Sequence, residues 1–453
     1  MFMNILKKIE TTYFLFLFAF FLGSSAFDRS FVGIKIFGFR LGELIVGFLF
    51  IQTLILLLLR KNIIFSLNLN KFNITIKFLK IIIVSFVVSI YYFDTNFLST
   101  YTFKTSSYIW MTSVCFFANY LFKRKYIENK IVLKIVYFYL LLPIVHYLFS
   151  SGYYPNFLMD FFNKYSDKFT FTKASDIMLV LVISNLLLLN IQKNKKIFFI
   201  YFGLTLPLLL PLLLEMSRGS FIGALLFFVL IIFFNFKFFL TNTKFLLFFI
   251  IFSSSIFVVS TFRISGVSFD FSQGDDVLID RSVSGSITKI ANKNETRKAF
   301  LSFYLEDGRI VSHDNTTNWR LDIWQDVLED LNQKDSLILG YGYNEIMPIM
   351  TDPSAPGRLG RDGLNEHVHS YIFNILGRGG IVQLILFIGF HFSIVYAWYR
   401  KHENLDILLL MAPVFLNSAT DMNMEGVQFP FIYYFFLGVY FILYKNTEYK
   451  NYN

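Results

Sequence analysis

Twelve apolar stretches lie along this chain, and a single long polar segment interrupts them. They fall near residues 13–30, 41–59, 77–93, 106–122, 131–149, 176–191, 197–214, 219–236, 245–262, 381–399, 405–420 and 428–444. An α-helix of about 17 to 25 residues crosses the hydrocarbon core of a bilayer, and these stretches have about that length. No water reaches a backbone amide there, so the amides must be satisfied within the segment and the segment becomes helical. Charged residues make up only 16% of the 453, and the mean hydropathy is +0.55; an ordinary soluble domain carries about 25% charged residues. The pattern predicts an all-α integral membrane protein of about twelve transmembrane helices. Residues 1–262 hold helices one to nine, 263–368 form one large outer loop with helical segments, and 369–453 hold a return segment and the last three helices.

Basic residues in short loops stay on the cytoplasmic side. With the N-terminus inside, that side receives Lys7, Lys8, Arg60, Lys61, Lys123 to Lys125, Lys193, Lys195, Lys196, Lys237, Lys244, Arg400 and Lys401, whereas the opposite short loops hold far fewer. Both termini are therefore expected in the cytoplasm and the large loop outside. The formal charge of +10 sits mainly in these flanking clusters. Anionic membrane lipids account for it, and no nucleic-acid partner is needed. Residues 13–26, preceded by Lys7 and Lys8, also satisfy the pattern of a signal peptide; we read them as a retained first span. Cys115 is the only cysteine and lies in an apolar stretch, which argues against a disulfide or a cysteine-based metal site.

The polar segment divides in two. Residues 264–310 are rich in Gly, Ser and Asp and read as irregular. Over 318–331, Trp319, Ile323, Trp324, Val327 and Leu328 recur at helical spacing, which predicts an amphipathic helix with Asp322, Gln325, Asp326, Glu329 and Asp330 on its wet face. A short apolar run, Leu337 to Leu339, leads into the turn-rich Gly340-Tyr-Gly-Tyr343, and the chain returns to the membrane through His369 and the residues after it.

Four places carry possible chemistry. Arg218 lies in Glu215-Met-Ser-Arg-Gly-Ser220, at the membrane boundary, where an ionisable residue is a functional candidate. It is read either as a Glu215 or headgroup partner, or as a phosphate ligand whose fork adds to the amides of the following helix N-terminus. Arg320 and Trp324 share a helix face; they read as a stacking pair, or Arg320 reads as a second bidentate ligand for a diphosphate. His367 and His369 sit two residues apart, with no other His placed to complete a metal site, so no metal is expected. The outer polar residues Asn365, Glu366, Asp421 and Glu425 read as solvated groups or as partners of arginines.

The order Ser217-Arg-Gly219, then Arg320-Leu-Asp-Ile-Trp324, then Leu339-Gly-Tyr-Gly342, then His369-Ser370 with Tyr371, Leu376 and Gly380, resembles the O-antigen ligase and polymerase superfamily of polytopic, GT-C-like glycosyltransferases. The resemblance extends to the twelve-span layout and the loop before the last three spans. Two positions depart from the family's pattern: Arg378 stands where a Glu is common, and Gln383 where a small residue is usual.

The resemblance implies a bacterial inner-membrane enzyme with a periplasmic loop. Its donor is a glycan on a polyprenyl (undecaprenyl) diphosphate, and its acceptor is a sugar of the lipid A core or a second lipid-linked repeat unit. It implies His369 as the catalytic base and Arg218 and Arg320 as catalytic, diphosphate-binding cations, with Trp324 and Arg378 as further substrate contacts. No cofactor and no metal are implied. The missing second arginine-rich outer loop, since residues 151–176 hold Lys164, Lys168 and Lys173 but no Arg, favours a ligase over a polymerase. A flippase or other transporter is the remaining class; its sites would lie at mid-membrane, whereas the polar candidates here gather at one surface.

Overall fold

The computed structural model describes residues 2–58, 70–123, 129–169, 172–266, 287, 290, 302–355, 357–359 and 366–444. Most of the stretch read as irregular, 264–310, lies outside these residues, as do Asn365, Arg60, Lys61, Arg124 and Lys125. The chain is an all-α membrane protein. Each of the twelve apolar stretches coincides with helix to within a few residues. Among the described residues, seven helices are long and apolar enough to cross a membrane, and the apolar helices Leu41–Leu57, Arg218–Phe234, Leu408–Thr420 and Gln428–Leu443 are shorter. The stretch 106–122 is two helices, α4 (Thr100–Met111) and α5 (Ser113–Lys123), broken at Thr112, whose hydroxyl donates back to the Ile109 carbonyl.

The centre of the bundle is α8 (Ala174–Ile191), which is apolar and buried on nearly every face. A helix hydrophobic all round belongs inside a bundle. Around it stand α1 (Phe2–Val32), α6 (Asn129–Ser150), α9 (Lys195–Met216), α10 (Arg218–Phe234), α15 (Leu408–Thr420) and α16 (Gln428–Leu443). Small residues set the closest crossings, as is usual where no hydrophobic effect draws helices together. A Cβ at Gly219 would lie 2.2 Å from the Thr420 hydroxyl, and one at Gly223 3.1 Å from the Pro413 carbonyl, so α10 and α15 touch along one seam. That seam brings Arg218 beside the turn that follows α15.

The loop helix is longer than the sequence predicts. It runs Asn315–Gln333 (α13) and buries Ile323, Val327 and Leu331. Burial of each such side chain contributes about 1.5–3 kcal/mol, more than the ~1 kcal/mol of a helix cap, so the apolar face holds the helix down and its polar ties set where it sits. The expected wet face is largely paired. Asp322 and Asp326 pair with Arg309 and with the buried Arg358, Gln325 exchanges hydrogen bonds with the Ile310 backbone, and Asp330 accepts from the Tyr341 hydroxyl at 2.7 Å. Arg309 comes from a hairpin within the stretch read as irregular, β3 (Phe303–Glu306) paired antiparallel with β4 (Arg309–Ser312). Its turn, Asp307-Gly308, has positive φ at both residues, the hairpin geometry that Asp-Gly favours. A smaller hairpin, β1 (Lys35–Ile36) with β2 (Phe39–Arg40), joins the first two spans.

The return segment and the tenth span form one helical element, α14 (Tyr371–His402), broken at Gly380. Ser370 caps its start by accepting from the Phe373 amide. The backbone around Leu337 to Gly342 lies against the break: Tyr341 donates to the Gly377 carbonyl at 2.7 Å, Gly342 to Arg378 at 3.0 Å, and Ile381 to Leu337 at 2.9 Å. The short apolar run and glycine turn read from the sequence are thus a backbone clasp around the break.

Candidate functional site

The site is assembled at one end of the bundle, where α13, the start of α14 and the turn after α15 meet. Ser217 caps α10, and Arg218 occupies its first turn. The Arg218 guanidinium lies 2.7 Å from the carboxylate of Asp314, which is 2% exposed. Asp314 in turn caps α13 by accepting from the Thr317 amide at 3.0 Å. One buried carboxylate therefore ties the membrane helix that carries Arg218 to the loop helix that carries Arg320.

Removing one partner of a buried pair strands the other's charge at about 3–5 kcal/mol. Asp314→Ala is expected to lower the melting temperature of the detergent-solubilised protein, followed by tryptophan fluorescence, by much more than Asp314→Asn. The asparagine keeps the cap and still offers Arg218 an acceptor. Equal losses in the two variants would show that the carboxylate charge paired with Arg218, not the cap, fixes the helix.

Arg320 donates to the Thr420 carbonyl at 2.6 Å, and the Trp324 indole donates to the Val368 carbonyl at 2.7 Å while stacking on Phe373 at 5.3 Å. The side chains at i and i+4 do share a face, as the spacing predicts. Val368 is fully buried, so the residue after it is aimed by its neighbours. His369 has φ 54°, a left-handed conformation that costs a non-glycine residue of order 1–3 kcal/mol and persists where the surroundings enforce it. Its ring meets Trp319 edge to face at 5.0 Å. Burial first, then the nearby Arg320 guanidinium, push its imidazole down to about 4, so at neutral pH it is uncharged and able to accept a proton. His367 takes a different partner, with Nδ1 2.6 Å from the Glu425 carboxylate.

His369 opens on a cavity of ≈ 190 Å³ that it shares with His367, Asp421, Arg29, Lys173 and Asp176. Ser175, Asn423 and Gln428 complete its polar lining. Arg218, Arg320 and Trp324 do not line it: Arg320 holds the carbonyl of Thr420, the residue before Asp421, and Gly219, next to Arg218, packs on the Thr420 hydroxyl. Arg378, expected from the resemblance as a substrate contact, is placed elsewhere. It is 3% exposed, donates to the carbonyls of Gly342 and Glu345 and to the Tyr101 hydroxyl, and does not line the cavity. A guanidinium can satisfy several carbonyls of a tight turn at once, and the turn at Gly340 to Gly342 takes that use of it.

Sequence reasoning missed Arg29, Asp176, Asn423 and Gln428, and read Lys173 only as a loop charge. Asp28, with φ 57°, kinks the end of α1 and accepts from the Lys173 amide at 2.8 Å, which sets Arg29 and Lys173 side by side. Burial, then Arg29, lower the affinity of the Lys173 ammonium for its proton. The available signal was two acids, Asp28 and Asp176, at the ends of apolar stretches, where ionisable residues are costly.

Residues 202–388 match the family model described as O-antigen ligase, which places that segment in the O-antigen ligase and polymerase superfamily. The matched segment holds Arg218, Arg320, Trp324, His369 and Arg378, whereas Arg29, Lys173, Asp176, Asp421 and Asn423 lie outside it. No curated protein matches the chain.

Proposed function

We propose that this chain is a ligase-type glycosyltransferase of the periplasmic membrane face. It would transfer a glycan from a polyprenyl diphosphate carrier to a sugar hydroxyl, with the lipid A core as acceptor. The observation that carries this reading is the uncharged His369 imidazole, held between the Arg320 side and a polar cavity. The acceptor hydroxyl gives its proton to His369 as its oxygen bonds to the anomeric carbon. The bond from that carbon to the phosphate oxygen breaks, and the polyprenyl diphosphate leaves with the electron pair.

Negative charge grows on the departing diphosphate, so fixed cations near it stabilise the transition state more than the ground state. Arg218 and Arg320 take that role, one from the start of α10 and one from α13. Their ties to Asp314 and the Thr420 carbonyl hold them in place before substrate arrives, which reduces the reorganisation that catalysis would otherwise require. The diphosphate also acts on the base, because an anion beside an imidazole favours its protonated form. The donor thus raises the proton affinity of His369 when transfer needs it.

Deleting the gene and examining cell-surface and membrane glycans tests the reading. Long polymer accumulating unattached on its lipid carrier is the expected result. Single repeat units attached to the core would assign polymerase activity instead, and unchanged glycans would remove both.

A further inference from the structure

The cavity beside His369 contains polar atoms that nothing in the fold satisfies. Asp176 is 2% exposed and Asn423 8%. Among the described residues, neither amide atom of Asn423 has a hydrogen-bond partner, and the Asp176 carboxyl has only the Asp28 carboxyl as its side-chain hydrogen-bond partner. Each buried polar group left unpaired costs about 1–3 kcal/mol, so the wall of this cavity is built for something that fills it.

The lining says which chemistry fits. A diphosphate would meet the Asp421 carboxylate and the Asp176 carboxyl, which is paired with a second acid, Asp28, and like charge in a partly buried site is repulsive. Sugar hydroxyls carry no charge and both donate and accept. They can donate to Asp176 and Asp421, accept from Arg29 and Lys173, and do both with Asn423 and Gln428. Drug-sized ligands fill about 300–1,000 Å³, so ≈ 190 Å³ holds one ring and not an oligosaccharide. The base on the cavity wall selects the ring: the hydroxyl that loses its proton must come within reach of His369, and that hydroxyl belongs to the acceptor.

We propose that this cavity seats one uncharged pyranose of the acceptor, with Asp176 and Asn423 binding hydroxyls on either side of the one that attacks. The proposal rests on the transferase reading above. It also gives residues outside the matched segment a task, recognition of the acceptor beside His369.

The test uses the full chain in nanodiscs, lipid-linked glycan from the host as donor, and neutral core oligosaccharide released from the host's lipopolysaccharide as acceptor. A hydrogen bond to a charged group contributes about 1.5–3 kcal/mol. Asp176→Asn is therefore expected to raise the acceptor KM by about tenfold or more, with the donor KM within about twofold of wild type. Asn423→Ala shifts the same constant and carries the test if Asp176→Asn does not fold. An unchanged acceptor KM overturns the proposal, and so does a rise in donor KM alone, which would seat the donor's sugar here. If the wild type transfers from no lipid-linked donor, the transferase reading fails by itself. The seat is then decided by saturation-transfer NMR with methyl glucoside: it stands if the wild type shows the signal and Asp176→Asn loses it, and falls otherwise.

Discussion

Replacing His369 with alanine is expected to slow glycan transfer by about 10²- to 10⁴-fold, the range over which a positioned general base contributes, while the protein still folds. The pH profile tests the role more sharply than the rate. The imidazole stands at about 4 in the free protein, so kcat/KM, which reports the free enzyme, is expected to fall only as the pH drops through about 4. The sign follows from the base being active when unprotonated: above that value it accepts, below it carries its proton already. With donor bound, the diphosphate charge raises the proton affinity, so the acid limb of kcat lies at higher pH than that of kcat/KM. Arg320→Met removes one of the causes that lower the value, so it moves the kcat/KM limb upward as well as slowing transfer. A His369→Ala protein within threefold of wild type, or with the acid limb of kcat/KM unmoved, would exclude His369 as the base.

What the sequence made legible follows from periodicity and chemistry. The helices of the bundle were readable because twelve apolar stretches admit one backbone solution in a bilayer, and α13 was readable because Ile323, Trp324, Val327 and Leu328 recur at helical spacing. The break at Gly380 fell between the return segment and the tenth span, as their separate reading implies. The hairpin at β3 and β4 was passed over because its few residues sit in a stretch dominated by Gly, Ser and Asp, although Asp307-Gly308 is a turn signal. The pairing on the acidic face of α13 was missed because charge alone does not tell a solvated carboxylate from one paired to Arg309 or Arg358. Arg378 shows the same limit from the other side: a buried arginine was expected at a phosphate, and the carbonyls of a glycine turn claim it. The cavity itself was invisible, since its walls come from α1, the start of α8 and the turn after α15, positions hundreds of residues apart that only packing unites.

The break in α14 is where a single atom is expected to undo the most. Gly380 has φ 67° and ψ −172°, a region open essentially to glycine alone and costing other residues of order 1–3 kcal/mol. Sterics add to this: a Cβ there would lie 2.1 Å from the Ile338 carbonyl oxygen and 2.6 Å from the Leu339 nitrogen, both backbone atoms with no rotamer to yield. Gly340, on the facing strand of chain, has φ 72° and would place a Cβ 2.5 Å from the Gly377 carbonyl oxygen. The two backbones are therefore in direct contact, and Gly380→Ala must part them. Parting them breaks the hydrogen bond from Ile381 to Leu337 and loosens those from Tyr341 and Gly342, after which the first turns of α14 are no longer held against the loop. Those turns carry Phe373, on which Trp324 stacks, and they begin at Tyr371, two residues after His369. Transfer activity is thus expected to fall by at least 10²-fold, as a misplacement of about 1 Å suffices for, together with a lower melting temperature. Gly389→Ala supplies the comparison: its Cβ meets only the ring of Phe78, a side chain that can shift, and its loss of activity is expected to be far smaller. Comparable activity in the two variants would mean that the clasp at Gly380 does not position His369, and that the histidine is aimed from the α13 side alone, through Trp319 and the bond from Trp324 to Val368.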